Sequence, residues 1–415
     1  MISFDPKNGF NHDPKFMQLR LKTEKVWHGI FFTATAIGII ALFILLLSII
    51  NQSVGLVAVE NKKDPELVST VPFEQLTNEQ LIEILKINLS VNRLRTIEKE
   101  KPLLDRNQSE LIKLVTEKVV DPKVVASWTL WQSIFEKDQI TSVIEDAYPN
   151  AQISFRNWLN WDFLMMSFSS RPELAGIRVA IEGSLLIVII AIAFAFPIGI
   201  SSAIYLEEYA HPSKLLNRFI QANIDNLVGI PSIIYGILGL AVFVRTLAPL
   251  TSGEFFGIQG SSSRSILSGG LTIGLLILPM FILNAQEAIR AVPVSLRQAS
   301  YSLGATKWQT IRSHVLPSAL PGILTGSILA VSRAIGETAP LIVVGASTYI
   351  TSDPSSPFSS FTALPIIIYN WTTRPQDQFR NIASAAIIVL LISLLSLNAL
   401  AIFLRNRYNQ RSVSS

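Results

Sequence analysis

QEAIRAVPVSLRQASYSLGATKWQTIRSHVLPSALPGILTGSILAVSRAIGETAPL, residues 286–341, joins two kinds of sequence without a break. Its first half is basic and amphipathic. Ser295 with Gln298, and Thr306 with Gln309, each have capping-box spacing, in which a hydroxyl and an amide satisfy each other's orphan backbone donors. Gly304 lies between them, where a left-handed residue ends a helix. Pro317 lacks an N–H and is expected to stop the second helix. The spacing places Leu296, Ala299 and Leu303 on one face of the first helix and Trp308, Ile311 and Val315 on one face of the second. Arg290, Arg297, Lys307 and Arg312 sit among them. Two short helices at a glycine corner make a stiff knob that can transmit displacement. A hairpin folded back on its own bundle fits the same spacing.

The second half is apolar and carries Arg333 and Glu337. Counting from Leu320 at about 1.5 Å per residue puts Arg333 roughly 20 Å along a helix, near the middle of a bilayer. Glu337, four residues on, is expected on the same face as an intrahelical ion pair. Alone, each charge costs about 3 kcal/mol or more at that depth, so the pair should face the bundle interior or a wet cavity. In one reading the forked guanidinium meets an oxyanion, while Glu337 holds it and weakens the grip. In the other the pair only fixes helix rotation. Pro340 offers a hinge beyond the pair, and Gly322 with Gly326 reads as a packing seam.

The rest of the chain supplies the setting for this segment. Of 415 residues, 49% are hydrophobic and only 15% charged, well below the charge of soluble domains. Six stretches are long enough to cross a bilayer as helices: 29–51, 183–206, 226–244, 265–286, 320–349 and 381–404. An N-terminal polar segment, 1–28, precedes the first, which is a retained anchor rather than a signal peptide. Lys7, Lys15, Arg20, Lys22, Lys25, Lys214, Arg218, the hairpin cations, Arg405, Arg407 and Arg411 then fall on one side. Only Arg245, Arg264, Arg374 and Arg380 occupy short loops on the other. Positive charge marks the cytoplasmic side, so both termini are expected inside. The chain has no cysteine, hence no disulfide or thiolate chemistry. Its four histidines show no ligand spacing, so no metal site is expected. No Gly-Lys pair exists for a phosphate-binding loop, so any ATP must be bound by another chain.

Residues 52–177 form one long external insert of mixed charge. A helix is expected from Thr77, boxed by Gln80, with Leu81, Leu85 and Leu89 on one face. Another is expected near Ser109, with Leu111 and Val115, stopping before Pro122. Trp128, Trp131, Trp158 and Trp161 come in two close pairs. The favoured reading is the aromatic core of a small helical domain; the others are an outer dock for a partner or an interfacial belt.

Gln298-Ala299-Ser300, Gly304 and Leu316-Pro317 have the spacing of the EAA loop of bacterial ABC-importer permeases, with Gln298 for the usual Glu and His314 for an aliphatic residue. ELAGI (173–177), NWDF (160–163), IYLEEYA (204–210), VGIPSIIYGILGLAVF (228–243), AVP (291–293) and RAIGETAPL (333–341) resemble the PstA-type permeases of phosphate importers. The resemblance covers about residues 158–407. It implies an all-α polytopic membrane protein with six transmembrane helices. A type I ABC importer core would occupy 178–405, with a coupling loop at 287–318. The anchor 29–51, a mainly helical periplasmic insert at 52–177 and a cytoplasmic tail at 406–415 complete the layout. It further implies an ATPase-coupling set of Gln298, Ala299, Ser300, Leu303, Gly304, Ala305, Trp308, Ile311, Leu316 and Pro317. Arg333, Glu337, Thr338 and Pro340 would line the translocation path. The implied partners are a second permease of PstC type, two ATPases of PstB type that hold ATP and magnesium, and a periplasmic phosphate-binding protein. The chain itself would need no cofactor, catalyse nothing, touch no nucleic acid and sit in the bacterial inner membrane. Import of sulfate or molybdate, ion-coupled secondary transport and a membrane-anchored sensor remain the alternatives.

Overall fold

In a computed structural model, residues 14–69, 71–100, 102–211, 213–258, 261–350 and 353–413 are described. Residues 1–13, with Lys7 and His12 of the predicted N-terminal segment, and 414–415 of the tail lie outside them. The chain forms two compact units, residues 1–51 and 52–415. The described residues of the first unit are helical. Its helix α1 (Pro14–Ser53) carries an apolar stretch within Leu21–Ser53 that is long enough to cross a membrane.

The second unit opens with a feature the sequence reading did not name. Strand β1 (Val54–Asn61) pairs antiparallel with β2 (Pro122–Ser127) on one side and β3 (Gln152–Asn157) on the other. The valines of VGLVAVE suit a pleated, half-buried surface. They follow an apolar helix without a turn signal, so their alternation reads as the tail of that run. Val57 and Val59 face one side of the sheet and Leu56 and Ala58 the other, as period-two geometry requires.

The rest of the insert is helical. Thr77 and Gln80 form the expected box on α2 (Asn78–Asn88). Helix α3 (Val91–Glu100) follows, and α4 (Gln108–Val115) starts one residue before Ser109. Leu81, Leu85, Leu89, Leu111 and Val115 bury together, so the predicted faces meet in one lobe core. A π turn, Thr116–Val120, leads to Asp121 at φ 52°, just before Pro122. Two short helices, α5 (Leu130–Phe135) and α6 (Lys137–Ala147), precede β3, and α7 (Trp161–Met165) follows it.

The tryptophans do not share a core. Trp158 is 2% exposed and packs with Phe163, Phe168 and Trp371, whereas Trp131 is 61% and Trp161 70% exposed. The expectation of one aromatic core is therefore corrected: periodicity does not tell which side of a six-residue helix meets the sheet.

The insert is bound to the helical bundle. The Gln378 amide donates to the Val124 carbonyl at 3.2 Å and the Ser384 hydroxyl donates to Gln52 at 3.0 Å, while within the insert the Val124 N–H donates to Glu173 at 2.8 Å. Arg156 lies over the Trp158 ring at 4.5 Å and donates to the Glu173 carbonyl, and burial pushes its pKa down.

The bundle is built on α8 (Arg178–Ile204), which continues through Pro197 into a π turn, Tyr205–Tyr209. The predicted third span, 226–244, is not one straight helix. Helix α9 (Leu215–Val228) ends at Gly229, and α10 (Ser232–Gly239, continued by a π turn to Thr246) starts after Pro231, bent by 109°. Proline cannot donate to the turn before it, and the Tyr235 hydroxyl donates to the Leu227 carbonyl across the corner at 2.7 Å. Helix α11 (Ile266–Arg290) packs against α8 on one side. The predicted fifth span, 320–349, is broken too: its helix, Leu316–Gly336, stops short of residue 349. Helix α16 (Leu364–Thr372) and the last span, α17 (Asp377–Val413), complete the bundle.

Candidate functional site

The hairpin of residues 294–315 begins with α12 (Val294–Ser302). Its N-cap is Pro293, with no side-chain cap, so the expected Ser295–Gln298 box does not form: Pro293 starts the helix early and places Ser295 inside the first turn. The Thr306–Gln309 box does form, on α13 (Lys307–Thr310). Gly304 has φ 81°, the left-handed corner that glycine tolerates best. Buried hydroxyls of Ser300 and Thr310, 2.8 Å apart, tie the two helices together.

Pro317 does not stop the second helix. A π turn, Ile311–Val315, shifts the hydrogen-bond register, so that Pro317 falls in the first turn of α14 (Leu316–Gly336), where no donor is required. The knob thus runs straight into the next span. The hairpin also has two sides rather than one apolar face. Ile311 is buried, and Val315 and Leu296 pack with Ala203, Ala285 and Ile289. Leu303 is 89% exposed, with Val294, Tyr301 and Trp308 also outward. Of the proposed coupling residues, Gln298, Ala299, Leu303, Gly304, Trp308 and Pro317 are exposed, Ala305 and Leu316 half-buried, and Ser300 and Ile311 buried.

Sequence reasoning missed what holds the knob in place. The π turn Tyr205–Tyr209 at the end of α8 contacts it three times. Glu207 accepts two bonds from Arg290, at 2.5 and 3.3 Å. Glu208, buried, accepts from Arg297 Nη2 at 3.0 Å and Nε at 3.1 Å. The same guanidinium donates to the carbonyls of Val292 at 2.6 Å and Ile289 at 2.8 Å. Lys307 Nζ lies 5.0 Å from the Tyr209 ring centre. The Glu-Glu-Tyr run in IYLEEYA was the available signal: adjacent acids at the end of an apolar helix, opposite a basic loop. Beside this clamp a cavity of about 810 Å³ opens between α9 and α11, lined by Arg218, Asp225 and Glu287 among others.

The second predicted device is arranged differently. Helix α14 ends at Gly336, and Glu337 takes extended geometry (φ −82°, ψ 117°) as its C-cap. Glu337 is thus not one helical turn from Arg333, and among the described residues neither makes an ion pair. The correction has a local cause: Gly336 and the Thr338-Ala339-Pro340 start of α15 (Ala339–Val344) break the helix before the i+4 pair can close. Arg333 is exposed, with Nη1 3.4 Å from the Met280 sulfur. Glu337 and Thr338 are half-buried.

Pro340 is buried in the first turn of α15, and the helix break precedes it, after Gly336. A Cβ on Gly236 would come within 2.7 Å of Pro340 Cα, so α15 can lie on α10 only because Gly236 lacks one. Gly322 and Gly326 face Ala288 and Asn284 on α11, and the Asn284 amide donates to the Gly326 carbonyl at 3.2 Å. One segment therefore carries a clamped knob, a helical link and a break that bares a guanidinium.

Residues 174–413 match the family of binding-protein-dependent transport system inner membrane components, and this chain belongs to it. It is a multi-pass ABC importer permease subunit. It is 33% identical to "Probable ABC transporter permease protein YqgH" of Bacillus subtilis, over 59% of this chain and 74% of the relative. It is 34% identical to "Phosphate transport system permease protein PstA 1" of Mycobacterium tuberculosis, over 55% and 70%. Among solved structures it is similar to the MetNI methionine ABC transporter in an inward-facing conformation, at 18% identity, TM-score 0.40, over 55% of this chain and 93% of that one.

Proposed function

We propose that this chain is the translocation subunit of an ATP-driven importer of inorganic phosphate in the bacterial inner membrane, with both termini cytoplasmic. Arg333 carries the reading. Its guanidinium sits near the break of a membrane helix, exposed and, among the described residues, without a carboxylate partner, so its donors are open to an anion. The fork of donors suits phosphate oxygens. Glu337, Thr338 and Pro340 shape the break: Glu337 contributes repulsion that keeps the anion mobile, and Pro340 seats the short helix behind it.

Leu303, Trp308 and the exposed part of the hairpin dock on an ATPase of PstB type, two copies of which bind ATP and magnesium. A second permease of PstC type completes the path, and a periplasmic binding protein delivers the anion. The chain holds no cofactor of its own and catalyses no covalent step. The PstA relatives support phosphate as cargo; YqgH, whose name specifies no substrate, matches at similar identity.

The test is uptake of labelled phosphate by cells that carry Arg333→Gln in place of the wild type, with sulfate and molybdate as competitors. The expected result is loss of uptake with the complex still assembled, and wild-type uptake inhibited by unlabelled phosphate alone. Normal uptake by the variant, or full inhibition by sulfate or molybdate, overturns the reading.

A further inference from the structure

The insert has an inverted helix at its root. In α5 the inward side is polar: Ser133, buried, accepts from the Leu56 N–H at 2.8 Å and donates to the Thr129 carbonyl at 2.7 Å. The outward side is Trp131, Ile134 and Phe135, which share a face at i, i+3 and i+4. The Trp131 and Phe135 rings lie 4.2 Å apart. Helix α7 repeats the pattern, with Phe163 buried and Trp161 and Met165 outward at i and i+4. Phe155 on β3 is also exposed and pairs with Leu56. Scattered apolar residues on a surface need no explanation, but helices that turn their aromatic faces outward do.

The position of these faces decides what covers them. Leu56 is three residues past Ser53, the last residue of α1. At about 3.3 Å per residue it lies within roughly 10 Å of the end of that span. The Trp128 N–H donates to the Leu56 carbonyl at 2.9 Å, so α5 starts at the same level. Helix α7 is tied to the start of α8, its Phe163 carbonyl accepting from the Ile177 N–H at 3.0 Å. The sheet face that carries Leu56 is turned away from Trp371 and Phe379, which pack on the Val57 face. The two outward faces therefore lie near the ends of spans: that of α5 starts level with Leu56, just past α1, and that of α7 belongs to a helix packed on Trp371 beside the bundle, bonded through Phe163 to the start of α8. Aromatic side chains concentrate at that depth because an amphipathic ring suits the headgroup boundary.

We propose that the root of the insert is seated in the outer headgroup layer of the bilayer, with Ile134, Phe135, Phe155, Trp161 and Met165, together with Trp131, as its anchors. The helical lobe of α2–α4 stands clear in water. The seat fixes the height of the insert over the outer mouth of the bundle. This inference needs only that the chain spans a membrane and is independent of what it carries.

The absence of native cysteine makes the test clean. Phe135→Cys, Trp161→Cys and, as the water-facing control, Ile87→Cys are each spin-labelled in the full chain. The chain is purified with its accompanying subunits into lipid nanodiscs. Collision with oxygen should exceed collision with a water-soluble nickel chelate several-fold at 135 and 161, and the order should reverse at 87. Nickel-chelate access at 135 and 161 equal to that at 87 overturns the proposal. So does exclusion of both probes there, which would mean that a protein partner covers the patch. Tryptophan fluorescence in brominated lipid gives a second measure that needs no cysteine: Trp161→Phe should lower the quenched fraction relative to wild type, and an unchanged fraction counts against the seat.

Discussion

Arg297 and Arg333 lie in one basic-to-apolar segment and meet opposite surroundings. Arg297 is mostly covered, its side chain 15% exposed, with its donors taken by Glu208 and the carbonyls of Val292 and Ile289. Arg333 faces a methionine sulfur and, among the described residues, pairs with no carboxylate. A guanidinium saturated by its own chain is a strut, since its charge and geometry are spent on holding two elements together. A guanidinium left open at a helix break is available to something that comes and goes. The difference separates coupling from cargo within a single stretch of chain.

The largest effect should come from removing the open charge. Arg333→Gln is expected to reduce phosphate uptake to background while the subunits still co-purify. Arg297→Gln should instead lose assembly and uptake together. If both variants assemble equally and differ only in uptake, the contrast between strut and open charge fails.

The strut itself can be broken from the other side. Glu208→Ala leaves a guanidinium buried without its carboxylate, a change that costs about 3–5 kcal/mol in comparable sites. It should show as a lowered unfolding midpoint of the purified complex. Replacing both partners, Glu208→Leu with Arg297→Leu, should recover most of that loss, because an apolar pair carries no desolvation penalty. A single variant as stable as the wild type would reduce the clamp to a surface contact.

What the sequence disclosed and what it hid follow the range of each interaction. The Thr77 and Thr306 boxes and the Gly304 corner are local devices, readable from residues three apart, and they stand as expected. Apolar runs disclosed the spans because their length is set by the bilayer. Pattern failed where a local rule had two outcomes. A proline reads as a stop, yet Pro317 sits harmlessly after a π turn while Pro231 turns the chain by 109°. An i+4 spacing reads as an ion pair only if the helix continues, and Gly336 ends it. The Glu208–Arg297 clamp and the docking of β2 onto α17 join residues far apart in the chain, and no spacing rule reaches that far.

A smaller effect tests the two sides of the hairpin. Trp308 is exposed and Ile311 buried, one turn apart on what reads as a single face. Trp308→Glu should weaken ATPase binding by about 2 kcal/mol or more, the scale of an aromatic hot spot, and leave the unfolding midpoint of the free permease unchanged. Ile311→Ala should do the reverse, costing stability of about 2–4 kcal/mol for a truncated buried side chain. Equal loss of ATPase binding in both would return the hairpin to one docking face.

The smallest expected effect carries the most information about the break. If Glu337 held Arg333 as an intrahelical pair, Glu337→Gln would leave a bare charge and damage uptake nearly as much as Arg333→Gln. With the helix ended at Gly336, Glu337 only colours the potential near the guanidinium. Glu337→Gln should therefore change the uptake rate by less than about fivefold, equivalent to roughly 1 kcal/mol, and lower the apparent KM as one source of repulsion is removed. Loss of uptake to background would mean that the carboxylate reaches Arg333 at another stage of transport. The break after Gly336 would then be the moving part, closing into a continuous helix when the anion is absent.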